Sequence, residues 1–526
     1  MLIGATAPAG AALRFVDRAA QAGLTAPTWC GRPEKPHILE SGGTGLGLVD
    51  VDGDGDLDLY LVNGWRLEGS EVAERGRDLL YRNEGDGRFV EATDRAGLGQ
   101  DGWGTGIAAG DVDGDGLVDL FVGNFGPDVL YRNRGDGTFE RIEPGPGLDG
   151  WTGGAVLFDA DGDGDEDLFV GGYIDCTLEE VLAQRPRLLW EGMQVMMGPF
   201  GLEGLGNRYF ENTEGGSFRE ATAAAGLTDA GLYYTFGVAA ADLDGDLDLD
   251  LYAANDSNPN YLYENDGAGR FREVGLWSGA ALDAAGNGQA GMGLAVADLD
   301  GDGLPEVLVT NFWKDVSTLY RNLGSMAFED ATRAVGLDGP TYLPLSWGAA
   351  LADLDGDGDR DLLIADGHIY PQADEAASAG TTYRQRNLLL ENRDGRFVEV
   401  EGGPGLAVEE SSRGLALGDV DGDGDLDAAI SNVDAPPTLL LNETDGAGAW
   451  LRLDAPGALR VAVETASRRQ VLHRVRGGSF LSVSEETFHA GLGEAASATV
   501  EVTWPGGRAR RLVDLPARRL AVIPRP

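Results

Sequence analysis

Apolar residues along this chain fall in short runs of three to five, bounded by glycine, asparagine and aspartate. Leu59-Tyr-Leu-Val62, Leu120-Phe-Val122 and Val307-Leu-Val309 are examples. Short bounded runs of this kind are strands rather than helices. They recur in a fixed order. A small or apolar run opens on a glycine (Gly45, Gly106, Gly154, Gly237, Gly293, Gly348 and Gly414), five residues ahead of an acidic string. Such a run reads as a buried strand with close backbone packing. A second apolar run follows the acids. Next comes a hairpin flanking Gly-Asp-Gly, as in residues 80–89 and 130–139, with weaker copies at 209–218, 262–271, 319–328 and 389–397. A fourth run starts at its phenylalanine and often ends in Gly-Leu.

Four strands at a period near 55 residues describe a propeller blade. There are seven acidic strings, but only six outer strands follow them in sequence. The missing one is residues 15–24, which would pair beside residues 438–442 and leave the ring without an edge. The expected fold is therefore all-β: a seven-bladed β-propeller with calcium loops over residues 1–446, then a small β-sandwich-like domain over 447–526.

The acidic strings carry the chemistry. The first is Asp50, Asp52, Asp54, Asp56, Asp58; the second Asp111, Asp113, Asp115, Leu117, Asp119; the third Asp159, Asp161, Asp163, Asp165, Asp167. The fourth is Asp242, Asp244, Asp246, Asp248, Asp250, and the fifth Asp298, Asp300, Asp302, Leu304, Glu306. The sixth is Asp353, Asp355, Asp357, Asp359, Asp361, and the seventh Asp419, Asp421, Asp423, Asp425, Asp427. Ca²⁺ takes six to eight oxygens, and carboxylates at alternate positions of a tight loop converge on one point. Position 7 varies because a backbone carbonyl serves there. No helix follows the loops, so they are not EF-hands. Up to seven Ca²⁺ are expected, with the fourth and fifth loops weakest. Leu247 replaces glycine at position 6 of the fourth, and Glu306 follows Pro305 in the fifth.

Net charge is −48, which excludes a generic nucleic-acid binder. The acid is unevenly spread: residues 447–526 carry a net +5 against −53 for the rest, so a positive tail face can dock on an acidic propeller. Lys35 and Lys314 are the only lysines. With two cysteines, Cys30 and Cys176, there is neither a disulfide framework nor a thiolate zinc site, though the two could pair. No run of 18 apolar residues spans a membrane. Residues 1–13 lack the charged and apolar regions of a signal peptide, yet loops of extracellular affinity fill only where calcium is millimolar, so export is expected.

Insertions at 64–78, 173–207 and 366–387 follow second strands and gather on the face opposite the acidic loops, where a protein or glycan partner is expected to bind. Within 173–207, residues 178–189 read as helix. His37, His368, Tyr370 and Arg384 fall near this face. Trp103, Trp151 and Trp347 precede inner strands and are expected to pack between blades.

These units resemble FG-GAP/VCBS repeats. Finer matches are similar to the cartilage acidic protein and ASPIC/UnbV group: 198–202, Gly367-His-Ile-Tyr-Pro371, 383–387, Arg476-Gly-Gly-Ser479, Gly491-Leu-Gly493 and Val502-Thr-Trp-Pro-Gly-Gly507. The resemblance implies an integrin-α-like propeller and a secreted or surface, calcium-binding, adhesion-like protein. The family's Cys pair near Leu189 and Met197 is absent, and 451–470 is short for its tail. The expected function is a monomeric, extracellular, cell-surface or periplasmic binding module. The alternative is a calcium-dependent polysaccharide lyase or glycosidase, since related propellers include lyases.

Overall fold

The computed structural model describes residues 12–526, except 143–146, 185–187, 214 and 229–231. The leader reading therefore lies almost wholly outside the described residues. The fold is all-β. Six antiparallel four-stranded meanders follow one another in sequence. Their first strands are Leu46–Val49, Trp103–Gly110, Asp149–Phe158, Tyr234–Ala241, Leu294–Ala297 and Ser346–Ala352. A seventh sheet holds Ser412–Gly418, Asp427–Asn432 and Thr438–Asn442, and its fourth strand is Phe15–Asp17 from the chain's start. The register sets Phe15 opposite Asn442. Each first strand touches the first strands of the two neighbouring sheets, and the circuit closes between the seventh and the first.

The glycine ahead of each acidic loop is there for want of room. A Cβ on Gly293 would lie 2.2 Å from the Trp347 carbonyl of the next sheet. One on Gly45 would lie 1.6 Å from the Leu481 carbonyl. Outer strands are shorter than the sequence suggests. Phe15–Asp17, Phe89–Glu91 and Phe271–Glu273 have three residues each, followed by single helical turns over Ala19–Ala22, Thr93–Ala96 and Gly275–Ser278. Gly23, Gly97 and Gly279 end those turns in the left-handed conformation, the usual use of glycine after a helix. The helix expected over 178–189 covers only Leu178–Ala183, started by a Thr177–Glu180 capping box. Leu188–Trp190 then pairs with Met193–Val195.

The tail folds as two sheets. One holds Phe488–Gly493, Ala449–Asp454 and Leu520–Val522; the other holds Arg469–His473, Arg460–Glu464, Ser497–Trp504 and Arg508–Pro516. Leu451, Leu453, Val461, Val500, Val502 and Trp504 form the core between them. Between the two sheets, residues 474–485 leave the tail and run along the propeller axis. Arg476 and Gly477 pair with Ala240 and Ala239, Ser479 bridges Leu294, and Val483 bridges Gly47. Ile107 donates to the Leu481 carbonyl, and Leu417 to the Ser484 hydroxyl. At the tip, Phe480 is fully buried against Phe236 and Trp347 (ring centroids 5.5 and 4.7 Å). The turn there is tight: Ser479 and Leu481 have φ of 49° and 55°.

This finger ties the tail to the ring. Phe480→Ala is expected to lower stability by about 3 kcal/mol, the usual cost of truncating a buried phenylalanine. Chemical denaturation of the two proteins measures it. An unchanged midpoint would show that the finger contributes nothing.

Candidate metal centres

Each acidic string forms the turn between the first and second strands of its sheet, so all seven lie at one end of the ring. The first aspartate accepts from the backbone of its own loop. Asp50 Oδ1 and Oδ2 take the N–H groups of Gly53 and Gly55 at 2.8 and 3.0 Å. This bends the loop so that oxygens of positions 1, 3 and 5 converge. In the second to fifth loops these three carboxylates come within 4.8 Å of one another; in the first the trio is Asp50, Asp52 and Asp58. Several of the oxygens are buried without a hydrogen-bond partner: Asp52 Oδ1, Asp113 Oδ1, Asp248 Oδ1, Asp353 Oδ1, Asp355 Oδ2 and Asp425 Oδ1. Convergent carboxylates, with oxygens of Asp52, Asp113, Asp353 and Asp355 left unpartnered at positions 1 and 3, are the donor set a hard divalent cation requires, so the residues present fit calcium.

Position 9 has a further task that the sequence reading missed. Its carboxylate accepts from position 2 of its own loop and from an asparagine N–H on the third strand in all seven sheets. For Asp58 these are Val51 N at 3.1 Å and Asn83 N at 2.8 Å. Asp119, Asp167, Asp250, Glu306, Asp361 and Asp427 repeat the pattern with Asn133, Asn212, Asn265, Asn322, Asn392 and Asn442. The asparagine amide then crosses to the previous sheet. Asn83 Nδ2 reaches the Val420 carbonyl and Asn133 Nδ2 the Val51 carbonyl, at 2.7 and 2.9 Å. Asn212, Asn265, Asn322 and Asn442 do the same. Loop acid and strand asparagine thus form one staple between neighbouring sheets. Its signal was the Asn that recurs in the hairpin repeat.

The seven loops are not equivalent. Arg82 pairs with Asp52, and Arg132 with Asp113 at 3.1 Å. Tail arginines reach the sixth and seventh: Arg468 meets Asp359, and Arg452 bridges Asp419 and Glu485. Arg476 pairs with Glu166 beside the third loop at 2.6 Å. The basic tail therefore docks on the acidic end of the ring. In the fourth loop Leu247 has φ of 75°, where the glycines at the same position range from 87° to 101°. A Cβ in this region is strained, and Leu247 accepts the strain while packing against a core cluster that includes Leu459 of the tail.

Burial raises the position 9 carboxyls and some others in the loops, with neighbouring aspartates adding to it. Asp58, Asp119 and Asp167 rise to about 7, Glu306 to about 8 and Asp361 to about 9. Asp248 and Asp425 rise to about 8 through burial and then the charges of Asp246 and Asp423.

The opposite end of the ring is aromatic and apolar. Trp190 and Tyr370 from the two long insertions pack with Phe312, Tyr173, Phe236 and Trp347. Trp103 and Trp151 pack between sheets as expected, against Trp65 at 5.7 Å and Phe125 at 5.6 Å, whereas Trp347 meets Phe480 of the tail. Insertion 64–78 is the hairpin Trp65–Glu68/Glu71–Arg75. His37 faces Glu40 at 2.7 Å, with Arg32 alongside. His368 is fully buried at 4.9 Å from the Trp190 ring, and burial lowers it to about 3, so it is neutral. Arg384 is exposed and pairs with Glu410. Of the four candidates, His368 and Tyr370 adjoin (ring centroids 5.3 Å), whereas His37 and Arg384 are each held by other partners. Cys30 and Cys176 are free thiols.

With fold and loops in view, the comparisons with known proteins are coherent. A model of the FG-GAP-like repeat matches residues 50–122, 111–170, 242–309 and 298–364, and the ASPIC and UnbV model matches 444–526. The chain is an FG-GAP-repeat β-propeller protein with an ASPIC and UnbV domain. It is similar to cartilage acidic protein 1 of Mus musculus and of Homo sapiens, 30% identical to each over 274 residues. Those matches cover 49% of this chain and about 40% of each relative's length (40% and 39%). Among solved structures, an Agrocybe aegerita lectin recognising terminal N-acetylglucosamine has a TM-score of 0.40 and 18% identity, covering 70% of this chain and 88% of the lectin. YCF48 bound to D1 peptide has a TM-score of 0.40 and 8% identity, covering 79% and 97%. Among the described residues no helix is long and apolar enough to cross a membrane.

The raised carboxyls set a pH dependence for the cation-free chain. A group with a raised folded pKa holds its proton more tightly when folded. Its stabilisation is complete below the unfolded value near about 4 and is lost as pH rises through the folded value. In excess chelator the melting temperature is expected to fall steadily between about pH 5 and pH 8, and added calcium should flatten the profile. A chelated protein equally stable across that range would contradict these assignments.

Proposed function

We propose that this protein is a calcium-stabilised binding module that works outside the cell, in secreted, surface or periplasmic form. Calcium fills the acidic loops at one end of the ring, and a protein or glycan partner is held at the other. The observation that carries this reading is the set of buried, unpartnered carboxylate oxygens at ligand positions 1 and 3 in three of the seven loops, those of Asp52, Asp113, Asp353 and Asp355. Ca²⁺ bound there would be ligated by positions 1, 3 and 5, the position 7 carbonyl and position 9, and would replace mutual repulsion with attraction. Binding to the folded chain alone adds RT ln(1 + [L]/Kd) for each site, so seven weak sites together make a large contribution. The ring then acts as a rigid frame for the insertions. Exposed Leu189 and Phe200 stand at its far end, where apolar side chains facing water suit a partner.

The carbohydrate-active alternative gains no support from the positions of His37, His368 and Arg384. His37 is held by Glu40, His368 is buried and neutral, and Arg384 is paired with Glu410.

Two outcomes are expected. In calcium titration calorimetry the fourth loop is the weakest. Leu247→Gly removes a positive-φ strain of order 1 kcal/mol and tightens one site about fivefold; seven equal sites, unmoved by the substitution, would refute this. For the function, the immobilised chain is tested against glycan and extracellular-matrix protein arrays, in calcium and in chelator. Calcium-dependent retention, lost in Leu189→Arg/Phe200→Arg, is expected. Depolymerisation of an acidic polysaccharide would instead favour the enzyme.

A further inference from the structure

The aromatic end of the ring encloses a cavity of about 430 Å³, within the range of small-molecule sites. Its walls include Tyr173, Trp190, Phe236, Phe312, Trp347 and Tyr370. These come from the two long insertions, from the starts of two inner strands (Phe236 and Trp347) and from the segment after strand Glu306–Val309 (Phe312). Its base is set by the tail finger, since Phe236 and Trp347 rest on Phe480.

Two polar groups in this apolar box are left with something to do. One is Asp256, which is 7% exposed and lines the cavity. Its oxygens accept from the Tyr173 and Ser257 hydroxyls at 2.7 and 2.8 Å. Among the described residues no arginine, lysine or histidine pairs with it. Burial raises this carboxyl and favours its protonated form, so a cation seated beside it would be the partner that stabilises the carboxylate. The buried Arg413 is not that partner. Arg413 stacks on Trp347, 4.1 Å from the ring, and donates to the carbonyls of Ser41, Gly367 and Ser412. The other group is the Trp190 indole, 8% exposed, whose Nε1–H has no acceptor.

We propose that this cavity binds a small organic cation: an ammonium group on an apolar or aromatic body that also carries a hydroxyl or carbonyl oxygen. The ammonium pairs with Asp256. The body fills the space between the aromatic walls. The oxygen accepts from Trp190 Nε1–H. Recognition is by charge at one point and by an unpaired donor at another. Neutral analogues leave Asp256 without a partner, and anionic ones are repelled. The site does not depend on what the loops bind, since it lies at the opposite end of the ring.

The test uses three probes with one body, phenylethanolamine, phenylethanediol and mandelate, titrated calorimetrically into the full chain at neutral pH. The amine is expected to bind at least tenfold tighter than the diol, with no binding of mandelate. Asp256→Asn should remove the preference for the amine, and Trp190→Phe should weaken it by about threefold to tenfold. Met292→Trp, which fills the cavity from its wall, should abolish binding. It serves as the site control should Asp256→Asn fail to fold. Equal affinity for amine and diol, tighter binding of mandelate, no binding of the amine, or amine binding that survives Met292→Trp would each overturn the proposal.

Discussion

Crowded carboxylates at one end of the ring are the constraint on which this structure turns. The first five loops each bring three acids within about 5 Å of one another, a crowding that repels. Without compensation the loops would push the first and second strands apart. Part of the compensation is visible. Arg82 and Arg132 reach the first two loops, and the tail brings Arg452 and Arg468 to the last two. The rest falls to the cations we propose. The carboxyl at position 9 shows why this matters beyond the loop. It holds the asparagine that bonds to the neighbouring sheet, so loop geometry and sheet-to-sheet packing are one network.

Much of the ring was legible in the sequence, because it repeats. Seven glycines at a fixed offset from seven acidic strings require a close approach at the inner strand, and the structure has another backbone or side chain within 3 Å of each missing Cβ. Counting outer strands sends Phe15 to the last sheet, where it pairs with Asn442. The acidic strings announced convergent oxygens through alternation alone. What escaped was non-repeating or non-local. Position 9 looked like one more ligand, and nothing in its spacing told of the asparagine partner about 25 residues on (Asp58 to Asn83). The path of residues 474–485 along the axis has no local signature either. Its tip residues Ser479 and Leu481 adopt positive φ, which their residue types do not announce.

That finger gives the molecule two ends with different jobs. At the acidic end the basic tail covers the sixth and seventh loops, so charge balance and domain attachment reinforce each other. At the other end Phe480 supports the aromatic wall. The two long insertions there supply Trp190 and Tyr370 to that wall and are anchored on the ring, as binding surfaces commonly are. The tail is thus part of the frame rather than an appendage.

The central claim is that cations hold the acidic end together. Its most direct test is the metal content of the native protein, measured by inductively coupled plasma mass spectrometry as the excess over the dialysate after equilibrium dialysis against millimolar calcium, alongside its melting temperature. The account predicts several calcium ions retained per chain, and a melting temperature that falls by well over about 10 °C once a chelator removes them. A chain that retains no calcium and melts identically with and without chelator would contradict it.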